Sequence, residues 1–388
     1  MRILFIHDPP DLYGASRSLL RLASRLVLDG HEVLVVVPYD GPLRPPLEVA
    51  GVGVKTYPRL AIVTRRGHGT LRGFFSLFFS FLLSIPALWR ITSDFRPDIV
   101  HSNTSLILTP GVVARLRGIP HIWHIREVFA GFPQLWSWYQ WYMAAFSDRI
   151  VCVSNAVAAQ FSSRISREKI CVLHNGFPVG EFPEVPPARV MEFRQRYNLD
   201  GNLLVGLVGR IKIGRKGQDV LLEAAATLKP RFPNVRFLFI GSPFPGNEAH
   251  LDKLRTLINE LALSDEVVCT GDIGDIKAAY AALDISVQPS VMPEAFSGVV
   301  IESMAMGKPV VASRCGGTME QIKDGVTGIL VEPGNSQQLA SALERLLSDS
   351  DLRLRLGSQG REEFLERFEF ESFYRKLRAL QSSLVVRS

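Results

Sequence analysis

Residues 1–37 read MRILFIHDPPDLYGASRSLLRLASRLVLDGHEVLVVV. Positions 2–6 are a short apolar run of the kind that forms a strand buried on both faces. Leu19, Leu20, Leu22, Ala23, Leu26 and Val27 then recur at helical spacing, Gly30 stops the helix, and 32–37 supplies a second strand. One βαβ turn of a parallel sheet is thereby expected, and the rest of the chain repeats it. Further strands are expected at 98–101, 121–125, 149–153 and 169–173. A second series follows at 203–208, 235–240, 267–270, 284–288, 309–312 and 328–331.

Between the two series, Pro178, Pro183, Pro186 and Pro187 break up residues 176–188. The expected organisation is an N-terminal domain over 1–180, a linker over 181–200, a C-terminal domain over 201–365 and a closing helical segment over 366–388. Two Rossmann-like, doubly wound parallel-sheet domains would face each other across a cleft, with ligands beyond the C-terminal strand ends. The length of 388 residues suits two such lobes. Hydrophobic residues at 47% against 21% charged supply a core and leave little for a disordered tail.

Charge is uneven. Residues 1–180 hold 19 Lys and Arg against 11 Asp and Glu, whereas the remainder holds 25 against 27. A lobe at +8 favours anionic surfaces or acceptors, although a solvated basic face would look the same. Cys152, Cys171, Cys269 and Cys315 form no CxxC pair, so neither zinc nor a disulfide framework is expected, and a reducing, cytoplasmic setting fits. The N-terminus lacks the layout of an export signal.

The chemistry concentrates in 289–320, PSVMPEAFSGVVIESMAMGKPVVASRCGGTME. Glu294 falls in a loop after one strand and Glu302 on the following helix, expected at about 299–306. Phe296, Ser297, Gly298 and Val299 form the helix entry, where unpaired amides and the helix dipole favour an anion. Two acids beside an anion site need cations, and Arg210 and Lys216 in GRIKIGRKGQD (209–219) follow another strand end. Carboxylates suit sugar hydroxyls, and cations with amides suit a diphosphate. A carboxylate pair at this spacing also arises on ordinary solvated helices, so the joint pattern carries the reading.

These residues resemble the retaining GT-B glycosyltransferases of family 4, the glycosyl transferases group 1. The likeness rests on Glu294, seven residues and Glu302, on Gly209 and Arg210 with Lys216 and Gly217 downstream, and on Gly316, Gly317 and Glu320. It extends to 98–101 and to Asn175–Gly176. The resemblance implies transfer of a sugar from a nucleotide diphosphate sugar to an acceptor hydroxyl, with retained configuration. It places the ribose on Glu302, the transferred sugar on Glu294, and the diphosphate on Arg210 and Lys216. It also implies that Gly14 lies near the diphosphate and that His124 contacts the donor sugar; turn-forming and core roles are the plain alternatives. Where the family often has Gly-Phe-Gly after the first Glu, this chain has Ala295–Phe296–Ser297 with Gly298 one place later.

No metal or other cofactor is expected, nor nucleic acid as partner; the expected partners are the sugar nucleotide and a lipid-linked or saccharide acceptor. Residues 73–89, GFFSLFFSFLLSIPALW, carry a thin stripe of Ser76, Ser80 and Ser84 and are flanked by Arg65, Arg66, Arg72 and Arg90. At 17 residues with Pro86 inside, the run is short for a bilayer span and reads either as a buried helix or as a peripheral membrane surface. Trp136, Trp138, Tyr139, Trp141 and Tyr142 offer a second aromatic cluster. Rival readings are a sugar-nucleotide epimerase of the same fold and a non-catalytic sugar-nucleotide-binding protein. A dinucleotide oxidoreductase is disfavoured, because the stretch after Ile6 lacks G-x-G-x-x-G.

Overall fold

The computed structural model describes residues 1–63, 71–129 and 133–386, so Arg65 and Arg66 of the expected basic flank lie outside the described residues. The chain divides into two compact units, Met1–Gly176 with Glu371–Ser388, and Phe177–Phe370.

The N-terminal unit opens with β1 (Arg2–Ile6), α1 (Gly14–Leu28), β2 (Glu32–Val37), α2 (Arg44–Val49) and β3 (Gly53–Thr56). It continues through α3 (Leu71–Phe95), β4 (Ile99–Ser102), α4 (Thr109–Arg117), β5 (His121–Ile125), α5 (Pro133–Ala145), β6 (Arg149–Cys152), α6 (Asn155–Ala158) and β7 (Ile170–Val172). The strands pair in parallel in the order β3-β2-β1-β4-β5-β6-β7. Strand order reverses between β1 and β4, which opens the crevice at their C-terminal ends. The apolar expectation missed β3, because GVKT at the sheet edge alternates exposed and half-buried positions and presents no apolar run.

The C-terminal unit runs α7 (Pro187–Arg196), β8 (Leu203–Val208), α8 (Gln218–Leu228), β9 (Val235–Ile240), α9 (Ala249–Glu260), β10 (Val267–Gly271) and α10 (Ile276–Ala282). It continues β11 (Ile285–Gln288), α11 (Gly298–Ala305), β12 (Val310–Ser313), α12 (Thr318–Gln321), β13 (Ile329–Val331), α13 (Ser336–Ser348) and α14 (Ser350–Glu363). Its sheet has the order β10-β9-β8-β11-β12-β13 and reverses between β8 and β11. The stretch expected as a linker, 181–200, is built into this unit: α7 buries Phe193 beside Leu199, Leu204 and Tyr280. Pro187 is tolerated because it falls in the first turn, where its missing N–H has no partner to lose.

The last helix, α15 (Phe370–Val385), begins at the boundary, and Glu371–Ser388 belongs to the N-terminal unit. Arg25 of α1 ion-pairs with Glu371 and lies over the Tyr374 ring, whose hydroxyl donates to Asp29 at 2.5 Å.

Helix α3 packs on α4 through Leu88 and through Ser84, which bonds Thr109; its opposite side is apolar and open. Phe75, Phe78, Phe79, Leu82, Leu83 and Trp89 are all more than 40% exposed. Ser84, at one end of the thin polar stripe of Ser76, Ser80 and Ser84, therefore faces inward. By length and composition alone, Phe75–Phe95 could cross a membrane, with a mean hydropathy of 1.5.

Four histidines sit inside the N-terminal unit: His7 after β1, His101 on β4, and His121 and His124 on β5. Burial pulls His7 down to about 3 and His121 to about 4, and holds His101 and His124 well below 6.5, the positive charge of Arg126 adding to the effect on all but His121. An imidazole kept neutral in the fold takes up a proton on unfolding once the pH drops under its ordinary value. The stability it contributes is complete above 6.5 and is lost as the pH falls toward the folded values. Asp8 acts oppositely, since burial and then Asp11 and Glu127 raise it to about 6. Four groups outweigh one, so the urea midpoint should be lower at pH 5 than at pH 7; an equal or higher midpoint at pH 5 contradicts this burial.

Candidate functional site

At the reversal between β8 and β11, two loops meet with almost no space between their backbones. Gly217, at φ +76°, ends the loop after β8, and a Cβ there would lie 1.8 Å from the Pro289 carbonyl oxygen after β11. The Arg215 carbonyl accepts the Val291 N–H at 2.9 Å, joining the loops again. From the other side Gly316, at φ +59°, abuts Glu294, where a Cβ would come 2.3 Å from its carbonyl oxygen. The Gly317 N–H donates to that oxygen at 2.8 Å.

This contact fixes the side chains. The Lys216 ammonium donates to Glu294 Oε1 at 2.7 Å, and Ser290 donates to the same oxygen at 3.0 Å. Gln288 holds the Ser290 hydroxyl from below at 2.8 Å. Burial pushes the Glu294 carboxyl up, but Lys216, Ser290 and the charge of Arg215 outweigh it and hold the group below its ordinary value. Glu294 is an ionised acceptor at neutral pH. Cys315 lies against the same loop, its thiol 3.5 Å from the Ser290 carbonyl and pushed up by burial, so it is an inert neighbour.

Glu302 reaches back along α11, one carboxylate oxygen 3.9 Å from where a Cβ on Gly298 would sit, while the other accepts the Tyr280 hydroxyl at 2.8 Å. Both acids thus lie near the N-terminus of α11. The anion-binding entry is narrower than expected, because the Ser297 N–H donates to Gln321 at 3.2 Å and Gln321 returns a bond to the Ser297 carbonyl. Among the described residues, only from Gly298 and Val299 onward do the first amides of the helix lack an acceptor of this kind. Phe296 packs edge-on against Phe368 at 5.8 Å, a core contact. Arg210 leaves the same strand end as the Lys216 loop, and its guanidinium lies over the Phe244 ring at 5.4 Å.

Lys216, Glu294 and Glu302 are thus gathered around one helix end. Gly14 and His124 belong to the N-terminal unit. Gly14 is the first residue of α1, exposed and with open space around it. His124 has no exposed surface; its Nδ1 lies 3.3 Å from His101 Nε2 and 3.4 Å from Arg126. His101 and His124 thus form a buried pair. Sequence reasoning missed Ser290, Gln288, Tyr280 and Gln321; the spacing of Ser290 four residues before Glu294 was the one local signal. Among the described residues no group of three or more His, Cys, Asp or Glu is arranged to hold a metal ion.

Comparison with known proteins matches both units. The group described as Glycosyl transferases group 1 matches residues 191–363, and Glycosyltransferase Family 4 matches residues 13–181. A GDP-mannose-dependent alpha-mannosyltransferase of Mycolicibacterium smegmatis is 27% identical over 95% of this chain and 93% of its own. A D-inositol 3-phosphate glycosyltransferase of Corynebacterium urealyticum is 35% identical over 47% of this chain, which spans only 43% of that relative. Anabaena HepE, solved with UDP and glucose, superposes with a TM-score of 0.85 at 24% identity over 99% of this chain and 100% of its own. The two parallel-sheet units are those of the GT-B architecture.

Gly217 and Gly201 separate steric contact from backbone strain, since Gly201 also has positive φ (+74°) but nothing within 4 Å of a Cβ. Gly201→Ala should cost the left-handed strain alone, about 1–2 kcal/mol, and Gly217→Ala distinctly more, because Pro289 must move. Urea unfolding of both variants checks this; equal losses would deny the loop contact.

Proposed function

The chain belongs to the family 4, group 1 glycosyltransferases, and from that premise we propose that it moves a sugar from a nucleotide diphosphate sugar to an acceptor hydroxyl, with retention of configuration. The observation that carries the reading is the Lys216–Glu294 pair at 2.7 Å beside the N-terminus of α11. Glu294 accepts hydroxyls of the transferred sugar, Glu302 those of the ribose, and Lys216, Arg210 and the amides of Gly298 and Val299 take the diphosphate. As the bond from the anomeric carbon to phosphate oxygen breaks, negative charge grows on the diphosphate, and these fixed cations and dipoles stabilise it. The acceptor oxygen then bonds to the same face of that carbon, and its proton passes to the departing phosphate oxygen. These groups meet the charge themselves, and we assign no metal or other cofactor to the step.

A covalent intermediate would need a carboxylate at the anomeric carbon, and Glu294 is the one this reading sets against the transferred sugar. Its Oε1 is engaged by both Lys216 and Ser290, which favours a binding role over attack. Lys216→Ala, Glu294→Ala and Arg210→Ala should each lower transfer at least about tenfold, some 1.4 kcal/mol. Near-normal turnover in all three would remove the site. Conversion of a sugar nucleotide without any acceptor would instead favour the epimerase reading.

For the acceptor, the inositol phosphate in one relative's name and the mannosyl transfer in another's support a place in cell-surface polysaccharide or glycolipid synthesis. The open face of α3 supports peripheral attachment to the inner, cytoplasmic face of the membrane. Its exposed aromatic and aliphatic side chains are bordered by exposed Arg72 and Arg90, the charge complement of acidic headgroups. Paired Phe78→Ser and Phe79→Ser substitutions should weaken sedimentation with anionic liposomes several-fold. Liposome binding unaffected by the pair, or absent in the parent chain, would exclude that surface.

A further inference from the structure

Arg126 directly follows β5 and is half-buried. Its Nε donates to Asn103 Oδ1 at 3.1 Å and its Nη1 to Asn175 Oδ1 at 2.6 Å, while Nη2 lies 3.4 Å from His124 Nδ1. All three partners are neutral, His124 being held unprotonated by burial. Among the described residues no carboxylate comes within ion-pair distance of it. Glu127, its chain neighbour, is engaged elsewhere: it accepts the hydroxyls of Thr104 and Ser105 and the amides of Ser105 and Arg126. Burial pulls the guanidinium down to about 10 against the opposing effect of the nearby Glu127 charge, which leaves it fully charged at neutral pH.

A cation sheltered from water with only neutral acceptors is costly to keep, yet this one is built in carefully. Asn103 is tied to His7 and to the Ala15 carbonyl of α1, and Asn175 to Ser18. Of the five N–H groups of the guanidinium, three meet those partners, leaving one on each terminal nitrogen. Asn103 follows β4 and His7 follows β1, so the group stands where strand order reverses, the place at which open parallel sheets take their ligands.

We propose that Arg126 is the anchor of an anion subsite in the N-terminal unit, and that the anion is a phosphate group carried by the acceptor. A phosphate accepts from both remaining N–H groups of the fork and supplies a directly bonded counter-charge, which the more distant Glu127 does not. Calling the anion part of the acceptor rests on the glycosyltransferase reading; the subsite itself does not. The phosphate belongs either to a soluble sugar or polyol phosphate or to a lipid headgroup.

The test uses the full chain carrying Lys216→Ala and Arg210→Ala, which removes both side-chain cations assigned to the donor site, with methyl phosphate as probe in a thermal-shift titration. Tm should rise by roughly 2 °C or more. The rise should vanish on adding Arg126→Gln, and equally on adding Asn175→Asp, which gives Arg126 an internal counter-ion while keeping its shape. Because Asn175→Asp should not lower Tm in the absence of phosphate, it keeps the test decisive if Arg126→Gln unfolds the chain. A rise that persists at full size in either variant, or no rise at all up to tens of millimolar, overturns the subsite. Vesicles containing phosphatidic acid, run in parallel, separate the sources: capture lost with Asn175→Asp assigns a lipid headgroup, and capture indifferent to it assigns a soluble phosphate. Sugar-nucleotide turnover is followed in the Asn175→Asp chain with Lys216 and Arg210 intact. Turnover with no Arg126-dependent binding sinks the subsite alone, whereas binding without turnover in the parent chain sinks the transferase reading alone.

Discussion

Two loops of the C-terminal unit can touch only because Cβ atoms are missing where they meet. Gly217 against Pro289, and Gly316 and Gly317 against Glu294 and Ala295, leave gaps that even a methyl group would fill. Everything polar in the site follows from that approach. It brings the ammonium of Lys216, from the β8 side, onto a carboxylate from the β11 side, and it seals the pair from enough water for Ser290 and Gln288 to act as fixed donors. A carboxyl as enclosed as Glu294 would by burial alone become a neutral acid; the ion pair and the hydroxyl reverse that. Glycine here is a requirement of close packing as much as of backbone angle.

Strands buried on both faces were legible because most of their positions must be apolar, and β5 holds His121 and His124 there only as neutral rings. Five strands, at 2–6, 32–37, 121–125, 203–208 and 235–240, coincide with their expected bounds. What escaped was structure whose signal is not apolar. β3 lies at an edge and needs only half its side chains covered, and α7 sits in a proline-rich stretch whose prolines happen to fall at or before its first turn. In the candidate site, the joint pattern of residue types and spacing singled out Glu294, Glu302, Arg210 and Lys216, and of these the fold brings Lys216 onto Glu294. Hydrogen-bond partners were not legible: that Gln321 takes the Ser297 amide, or that Tyr280 holds Glu302, depends on elements more than twenty residues apart. The face of α3 was equally hidden, since a nearly uniform apolar run carries no periodicity to say which side packs. There Ser84, which bonds Thr109, points in, and Phe75, Phe78 and Phe79 point out.

The two units use cations in opposite ways, and the difference bears on selectivity. Lys216 is already neutralised by Glu294, so a bare phosphate gains little from it and leaves the carboxylate with like charge nearby. A ligand that brings negative charge to Lys216 and hydroxyl donors to Glu294 together escapes that penalty, and a sugar linked to a diphosphate is such a ligand. Pairing the acid with the cation therefore discriminates against free nucleotide and phosphate without any contact to the base. Among the described residues Arg126 has no acid within ion-pair distance, and it is framed by two amide oxygens that orient the guanidinium without discharging it. A lone, rigid cation selects for charge and shape and asks for no hydroxyl. On the proposed reading one site suits a composite donor and one cation suits a simple anion, and each follows from whether the fold set a carboxylate in direct contact with the positive charge.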